Sequence, residues 1–493
     1  MKQEILALDR VTIFHEDTPV LNNVSLHIFA GEITGLLCVN SQGVDEFLDL
    51  ISFNTPIHYG YVYFMGEIVH SYRRSLSQRN PVSIIEKQSR LVDDLTVADN
   101  IFVLRKNFHS YVLNKNMMEG QLEPYLKDLE SMGVRIPVSA VVSSLSLLQR
   151  WALELLKAVV SGVKLVVIRD ITNYVNTIDL HKIHALMKHY AAQGMAFIYM
   201  CNHHQEIFSI SDKTAVMLDG TIQKILMKDQ MNEDVMTHFS QSFRTAVNDS
   251  HRKFVAVDAA EHQDSLICRD LYSGNLKNIS FTMRAGECVV FMDIDGTAVE
   301  TFMGLCRGTL KSESGTLTIA GKEPSPYDRN TAIIQERPTK NMIFPDMSYI
   351  DNLCFLVDNK VPRFWSNPHV KESIIKEYLP LIGPTIFAPS LHGLPEKALY
   401  DLVYCRTLLQ SPELVVCMQP FFGVDMYQRV RIIEFLDTYR RKGISVLILA
   451  LSLSDSLEVA DRLLIIQNGS IVESYDRKDF SSVKLISGSR PTL

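Results

Sequence analysis

Segments from the first half of this chain recur in the second half, in the same order and at nearly constant spacing. Asn23-Val24-Ser25-Leu26, followed by Ala30-Gly31-Glu32, matches Asn278-Ile279-Ser280-Phe281, followed by Ala285-Gly286-Glu287, at an offset of 255. Gly60 and Gly66 match Gly315 and Gly321 at the same offset. DDLTVADNIFVL (93–104) matches PDMSYIDNLCFL (345–356) at 252. VKLVVIRD (163–170) matches PELVVCMQ (412–419), and SISDKTAVMLDG (209–220) matches EVADRLLIIQNG (458–469), both at 249. Coincidence would scatter these offsets, so the chain reads as a tandem duplication. A polar stretch without apolar period, 237–252, separates the copies. We expect domains at 1–240 and 253–493, joined by a linker at 241–252.

Each copy opens with alternating, β-type sequence (Val24, Leu26, Ile28; Val62, Phe64). A helical middle follows (Val112–Met132; Lys371–Leu381). Each copy ends in strands alternating with helices. Leu165–Ile168 and Val446–Leu449 are continuously apolar, the pattern of strands buried on both faces in a parallel sheet. The expected class is α/β. The 56 acidic residues against 49 basic give a net charge of −7, which disfavours nucleic acid as a partner. The eight cysteines form no CxxC pair, so neither a zinc site nor a disulfide framework is expected. The N-terminus has no apolar signal region, and the most apolar run, Ile444–Leu453, is too short to span a bilayer. No direct membrane insertion is expected.

The order of elements resembles an ABC-type ATPase domain. The tandem arrangement resembles the double-domain ATP-binding subunit of bacterial monosaccharide importers. The likeness is carried by AGE before each phosphate-loop position, LTVADNIF (95–102), LSLLQRWALELLKAV (145–159), SDKTAVMLDGTI (211–222), ISFTMRAGE (279–287), DMSYIDNL (346–353) and ADRLLIIQNGSIV (460–472). It implies two P-loop NTPase-like domains, each with a β-rich subdomain, a parallel-sheet core and a helical subdomain. It further implies ATP and Mg²⁺ as cofactors and an integral-membrane permease as partner. The implied location is the cytoplasm, at the inner face of the cell membrane.

A phosphate loop needs backbone N–H groups around the phosphates, a lysine on their oxygens and a hydroxyl on Mg²⁺. The first copy offers Cys38-Val39-Asn40-Ser41-Gln42-Gly43-Val44-Asp45-Glu46. Val44 takes the lysine position, and Asp45 and Glu46 follow where hydroxyls belong. The second offers Asp293-Ile294-Asp295-Gly296-Thr297-Ala298-Val299-Glu300, with Val299 and Glu300 in the same places. Losing a charge-assisted contact costs roughly 1.5–3 kcal/mol. A carboxylate about 4 Å from phosphate costs up to ~4 kcal/mol at an effective dielectric near 20. Together these amount to about three to four decades of affinity. One alternative is that Asp45 or Glu300 ligates Mg²⁺ and cancels part of the repulsion.

The other motifs that the resemblance implies are altered too. The LSGGQ signature becomes Leu145-Ser146-Leu147-Leu148-Gln149 in the first copy and Leu394-Pro395-Glu396-Lys397-Ala398 in the second. At the Walker B metal and base positions stand Arg169 and Asp170, then Met418 and Gln419. The phosphate-sensing His position holds Asn202 and Leu451, and the Q-loop position holds Lys87, beside Gln88, and Glu336. Asp170, Gln419 and Asn202 are therefore vestigial catalytic candidates, and no catalytic residue is assigned. The vestigial cofactor-binding candidates are Ser41–Glu46 and Asp295–Glu300, with Leu145, Ser146, Gln149, Leu394 and Glu396 from the signatures.

The bland readings of single residues are packing for Phe14, a retained turn for Gly43 and Gly296, and an ion pair for Arg169 with Asp170. Asp293 and Asp295 read as solvated loop acids, and His203-His204, adjacent on a strand, as no metal pair. The expected function is a catalytically degenerate subunit docking a permease or another cytosolic protein through its helical subdomains and Q-loop regions (Lys87–Asn100; Glu336–Asn352). The docking candidates include Asp93, Asp94 and Asp99. Two alternatives stand beside it: an atypical ATPase energising monosaccharide import through Asp45, Asp170 and Glu300, and a regulatory module binding another ligand. No cofactor is required, and weak ATP/Mg²⁺ binding stays open.

Overall fold

The computed structural model describes residues 2–15, 18–53, 55–71, 74–75, 80–87, 89–102, 115–171, 175–201, 204–232, 264–326, 328–356, 368–451 and 456–482. The segment 241–252, Gln88, Asn202 and His203 lie outside these residues. Contacts divide the chain into two units, Met1–Gln241 and Ser242–Leu493.

The first unit runs β1 (Glu4–His15), β2 (Thr18–Phe29), β3 (Ile33–Cys38), α1 (Val44–Phe53), β4 (Tyr59–Phe64), β5 (Glu67–Ser71), β6 (Arg74–Ser75) and β7 (Val82–Ile85). Helices α2 (Val97–Phe102), α3 (Lys115–Ser131) and α4 (Leu147–Val160) follow. The unit closes with β8 (Leu165–Arg169), α5 (Thr177–Ala192), β9 (Ala196–Met200), α6 (His204–Ile210), β10 (Lys213–Leu218) and β11 (Thr221–Met227). An antiparallel sheet has the order β2-β1-β4-β5-β6, and a second sheet the order β11-β10-β3-β9-β8-β7. The second sheet is parallel apart from the β10–β11 edge.

The second unit runs β12 (Asp264–Ser273), β13 (Leu276–Arg284), β14 (Cys288–Asp293), α7 (Val299–Cys306), β15 (Ser314–Ile319) and β16 (Thr331–Ile334). Then come α8 (Pro338–Asn341), α9 (Tyr349–Cys354), α10 (Pro368–Ile382) and α11 (Glu396–Gln410). Last are β17 (Leu414–Met418), α12 (Met426–Arg441), β18 (Ser445–Ala450), α13 (Ser456–Val459), β19 (Arg462–Gln467) and β20 (Ser470–Asp476). Its main sheet, β16-β17-β18-β14-β19-β20, has the connectivity of the first unit's main sheet. Among the described residues its antiparallel sheet has three strands, β13-β12-β15, against five in the first unit.

The inner main-sheet strands are apolar because both faces of the sheet are covered there, whereas the edge strands β11 and β20 are largely exposed. Val166, Val167, Ile168, Phe197 and Ile198 are fully buried, as are Val415, Val416, Leu447 and Ile448. Val24, Leu26, Ile28 and Val62 join the same core from the antiparallel sheet. The glutamate of each AGE segment has a structural task. Glu32 pairs with Lys213 at 2.6 Å, and Glu287 with Arg462 at 3.3 Å. Each pair ties the entry of the central strand to its neighbour, β10 or β19.

Candidate functional site

Each main sheet ends its central strand, β3 or β14, in a loop that enters a helix. In the first unit Gly43 makes the turn with φ +78°. A Cβ there would lie 2.4 Å from the Val20 carbonyl oxygen and 3.0 Å from the Gly220 Cα. The chain path alone therefore requires glycine. Asn40 donates to Asp219 at 2.6 Å, and Gln42 to the Pro19 carbonyl at 3.4 Å. The Val44 N–H donates to the Ser41 carbonyl at 3.3 Å, while the Val44 side chain sits in the core.

Asp45 and Arg169, far apart in sequence, meet at 2.8 Å, and Arg169 Nε lies 3.8 Å from Asp170 Oδ2. Burial works against the Arg169 charge, but the carboxylates of Asp45 and Asp170 hold its pKa above the usual value. The guanidinium thus sits between the two carboxylates. The alternative in which Asp45 serves a metal meets this cation in the way. Glu46 lies 3.4 Å from His15. Cys38 is half-buried, and desolvation pushes its thiol up to about 12, so it is no nucleophile at neutral pH.

The second loop is built differently. Asp293, at the end of β14, is fully buried rather than solvated. Its Oδ1 accepts the Gly296 N–H at 3.1 Å, and its Oδ2 accepts those of Ala298 at 2.6 Å and Val299 at 3.0 Å. Asp295, half-buried, accepts from Asn468 N–H at 2.5 Å and from the Thr297 hydroxyl at 2.8 Å. Burial, together with Asp295, pushes the Asp293 carboxyl up to about 6 against the pull of its backbone donors, so it is ionised above neutrality. Burial would raise Asp295 also, yet its donors hold it below the usual value. Val299 is buried in the core and Glu300 is exposed in the first turn of α7.

Asp170 and Gln419 occupy one structural position. Both have positive φ, +51° and +44°, and both donate their N–H to the neighbouring strand, to the Met200 and Leu449 carbonyls, at 2.9 Å. The signature segments begin α4 and α11. Ser146 caps α4 in a reciprocal capping box with Gln149, whose side chain also donates to the Arg135 carbonyl at 2.8 Å. Leu145 and Leu148 are buried, and Leu147 is exposed. In α11 the cap is Pro395, which makes no side-chain bond; Leu394 precedes it, and Glu396 accepts from Gln428 at 3.2 Å. Phe14 is engaged edge-to-face with His58 at 5.3 Å. Leu451 packs on the core. Lys87 is exposed and Glu336 half-buried.

The reading of Asp293 as a solvated loop acid is corrected here, because its carboxylate turns inward onto the loop N–H groups, which nothing in its local sequence signals. One group escaped the sequence reading. Glu154, on α4, is buried and accepts from Ser89 Oγ at 2.6 Å and Arg90 N–H at 2.7 Å, which fastens the segment after the Q-loop position.

Residues 21–173 match the ABC transporter family. A ribose import ATP-binding protein of Clostridium tetani is 22% identical over 98% of this chain and 97% of its own length. A xylose import ATP-binding protein of Geobacillus kaustophilus is 21% identical over 99% of each chain. The chain has the fold of two tandem ABC-type units. An archaeal ribosome recycling factor, aABCE1, solved in complex with the ribosomal stalk protein aP1, shares this ABC-type fold. Its TM-score is 0.57 at 13% identity, over 96% of this chain and 90% of that one. Mg·ATP, the ligand such loops imply, fits the side chains here poorly. A phosphate at the second loop would have to displace Asp293, and a metal at the first would meet Arg169. Among the described residues, no three His, Cys, Asp or Glu side chains are grouped to hold a metal ion.

Proposed function

We propose that this chain is the ATP-binding-cassette subunit of a sugar-importer-like system and works without ATP turnover, as a scaffold that docks a partner. The Arg169–Asp45 ion pair carries this reading, because a guanidinium stands where a hydrolytic site of this fold needs a divalent ion. Domains at 1–240 and 253–493, with a linker at 241–252, are part of the proposal, as is a cytoplasmic position at the inner membrane face. Among the described residues, no helix is long and apolar enough to cross a membrane.

Calorimetric titration of the full-length protein with Mg·ATP and Mg·ADP tests it. No binding heat is expected up to millimolar nucleotide, and Val44→Lys is expected to leave turnover at background, since the metal and base positions stay altered. Micromolar binding together with turnover lost in Asp170→Ala would instead establish the atypical ATPase.

The docking partner we propose is an integral-membrane permease, engaged by the helical subdomains around α2 and α9. Phe344 and Phe355 flank α9, stand 42% and 48% exposed, and approach to 4.6 Å between ring centroids. Of the three aspartates that the sequence offered, Asp93 is paired with Arg150 at 2.6 Å and Asp99 binds the Thr96 hydroxyl at 2.6 Å. Asp94 is exposed. Asp94→Lys is expected to weaken capture of detergent-solubilised permease several-fold with no change in melting temperature. Unchanged capture removes this face from the interface.

A further inference from the structure

The loop between β14 and α7 presents the N–H groups that an ABC-type fold turns toward a phosphate. All three that converge there, from Gly296, Ala298 and Val299, already donate to one carboxylate. That carboxylate belongs to Asp293, the residue that opens the loop, and it is sealed from solvent. We infer that Asp293 is a built-in anionic ligand of the second phosphate loop, an intramolecular plug that holds the loop in its liganded shape without nucleotide. The inference rests on reading 293–300 as a phosphate loop, and it deepens the proposal of a subunit that does not turn over ATP.

Three features support the plug. Its geometry is that of a bound anion, with two oxygens shared among three backbone donors at 2.6–3.1 Å. The loop is fastened from outside as well, because Asp295 accepts the Asn468 N–H and Asn275 Nδ2 donates to the Thr297 carbonyl at 3.2 Å. An arriving phosphate also finds no lysine, since the buried Val299 stands there, and it meets Glu300 in the first turn of α7. The first unit has no such plug. Cys38 holds the matching position, and a thiol cannot accept three N–H bonds as a carboxylate does.

The test uses the full chain at pH 8, where Asp293 is ionised, with inorganic pyrophosphate as the probe and sodium chloride at matched ionic strength as the control. Asp293→Ala empties the N–H cradle. It is expected to melt several degrees below the wild type and to regain about 3 °C or more in 10 mM pyrophosphate, with the wild type unmoved. Asp293→Asn keeps the shape and guards against misfolding of the alanine variant. In it, amide exchange at Ala298 and Val299 is expected to be about tenfold faster than in the wild type. Equal pyrophosphate shifts in wild type and Asp293→Ala, or unchanged exchange in Asp293→Asn, overturn the plug. Either result leaves the non-hydrolytic reading to the nucleotide titration. Conversely, micromolar ATP binding with the pyrophosphate rescue intact places the nucleotide on the first loop and leaves the plug standing.

Discussion

Gly469→Ala is expected to lower the melting temperature of the second unit by about 10 °C or to prevent its folding. Gly469 has φ +78°, and a Cβ there would lie 1.7 Å from the Asn275 carbonyl oxygen. The Gly469 carbonyl accepts the Lys277 N–H at 2.8 Å, so β13 is fastened against the β19–β20 turn with no room for a side chain. Left-handed strain costs about 1–3 kcal/mol. Overpacking against backbone, which cannot rotate away, adds about 1–3 kcal/mol. For a unit of this size each kcal/mol shifts the midpoint by about 2–4 °C. Gly321→Ala is the control, since its φ is +73° but nothing lies within 4 Å of the added carbon, leaving only the strain. Calorimetric melting of both variants decides the matter. Equal, small shifts would mean that the turn relaxes freely. Gly220 repeats the arrangement in the first unit, with its Cβ 1.9 Å from the Val20 oxygen.

Asn352→Ala is the second large effect, an expected loss of about 3–5 kcal/mol. Asn352 is fully buried. Its Oδ1 accepts the Phe344 N–H at 2.9 Å, and its Nδ2 donates to the carbonyls of Phe344 at 2.9 Å and Ser348 at 3.1 Å. Truncation leaves the Phe344 N–H without its partner, at about 1–3 kcal/mol, and takes one of two donors from each carbonyl, about 1 kcal/mol apiece, since the Met347 and Asn352 N–H groups stay on them. Denaturant unfolding should show the loss, and amide exchange at Phe344 should accelerate. A loss under about 1 kcal/mol would mean that water replaces the side chain. Asn100 makes the same bonds in the first unit, to Val92 N–H at 2.8 Å and to the Val92 and Thr96 carbonyls at 3.0 and 3.1 Å.

These asparagines bear on what a sequence can tell. LTVADNIF and DMSYIDNL depart less from the resembled family's pattern than the nucleotide motifs do, which suggests a docking role, yet the retained Asn is explained by the loop it ties down. Ser146 and Gln149 survive in the signature segment for a comparable reason, because Ser-x-x-Gln starts a helix. Short-range regularities of this kind were legible, as were the duplication and the doubly covered parallel sheets. Contacts that depend on where distant strands bring side chains were not. Arg169 and Asp45 stand on different elements, and no local pattern announces their pairing. Asp293 turns inward only because β14 ends beneath the loop. The two extra strands in the first antiparallel sheet have a local cause: Glu67–Ser71 is EIVHS, whereas its counterpart at offset 255, 322–326, is KEPSP, and Pro324 and Pro326 have no N–H for a ladder.

The ion pair at the first loop has one more consequence. A magnesium ion is shared with the solution, and its occupancy follows the supply of the free ion and of nucleotide. The guanidinium of Arg169 belongs to the chain itself and stands 2.8 Å from Asp45, so no chelator can strip it and no shortage can dilute it. On the non-hydrolytic function proposed above, this corner is expected to keep one shape in a starved cell and in a fed one. A partner resting on it would meet a constant surface rather than a gauge of the energy supply.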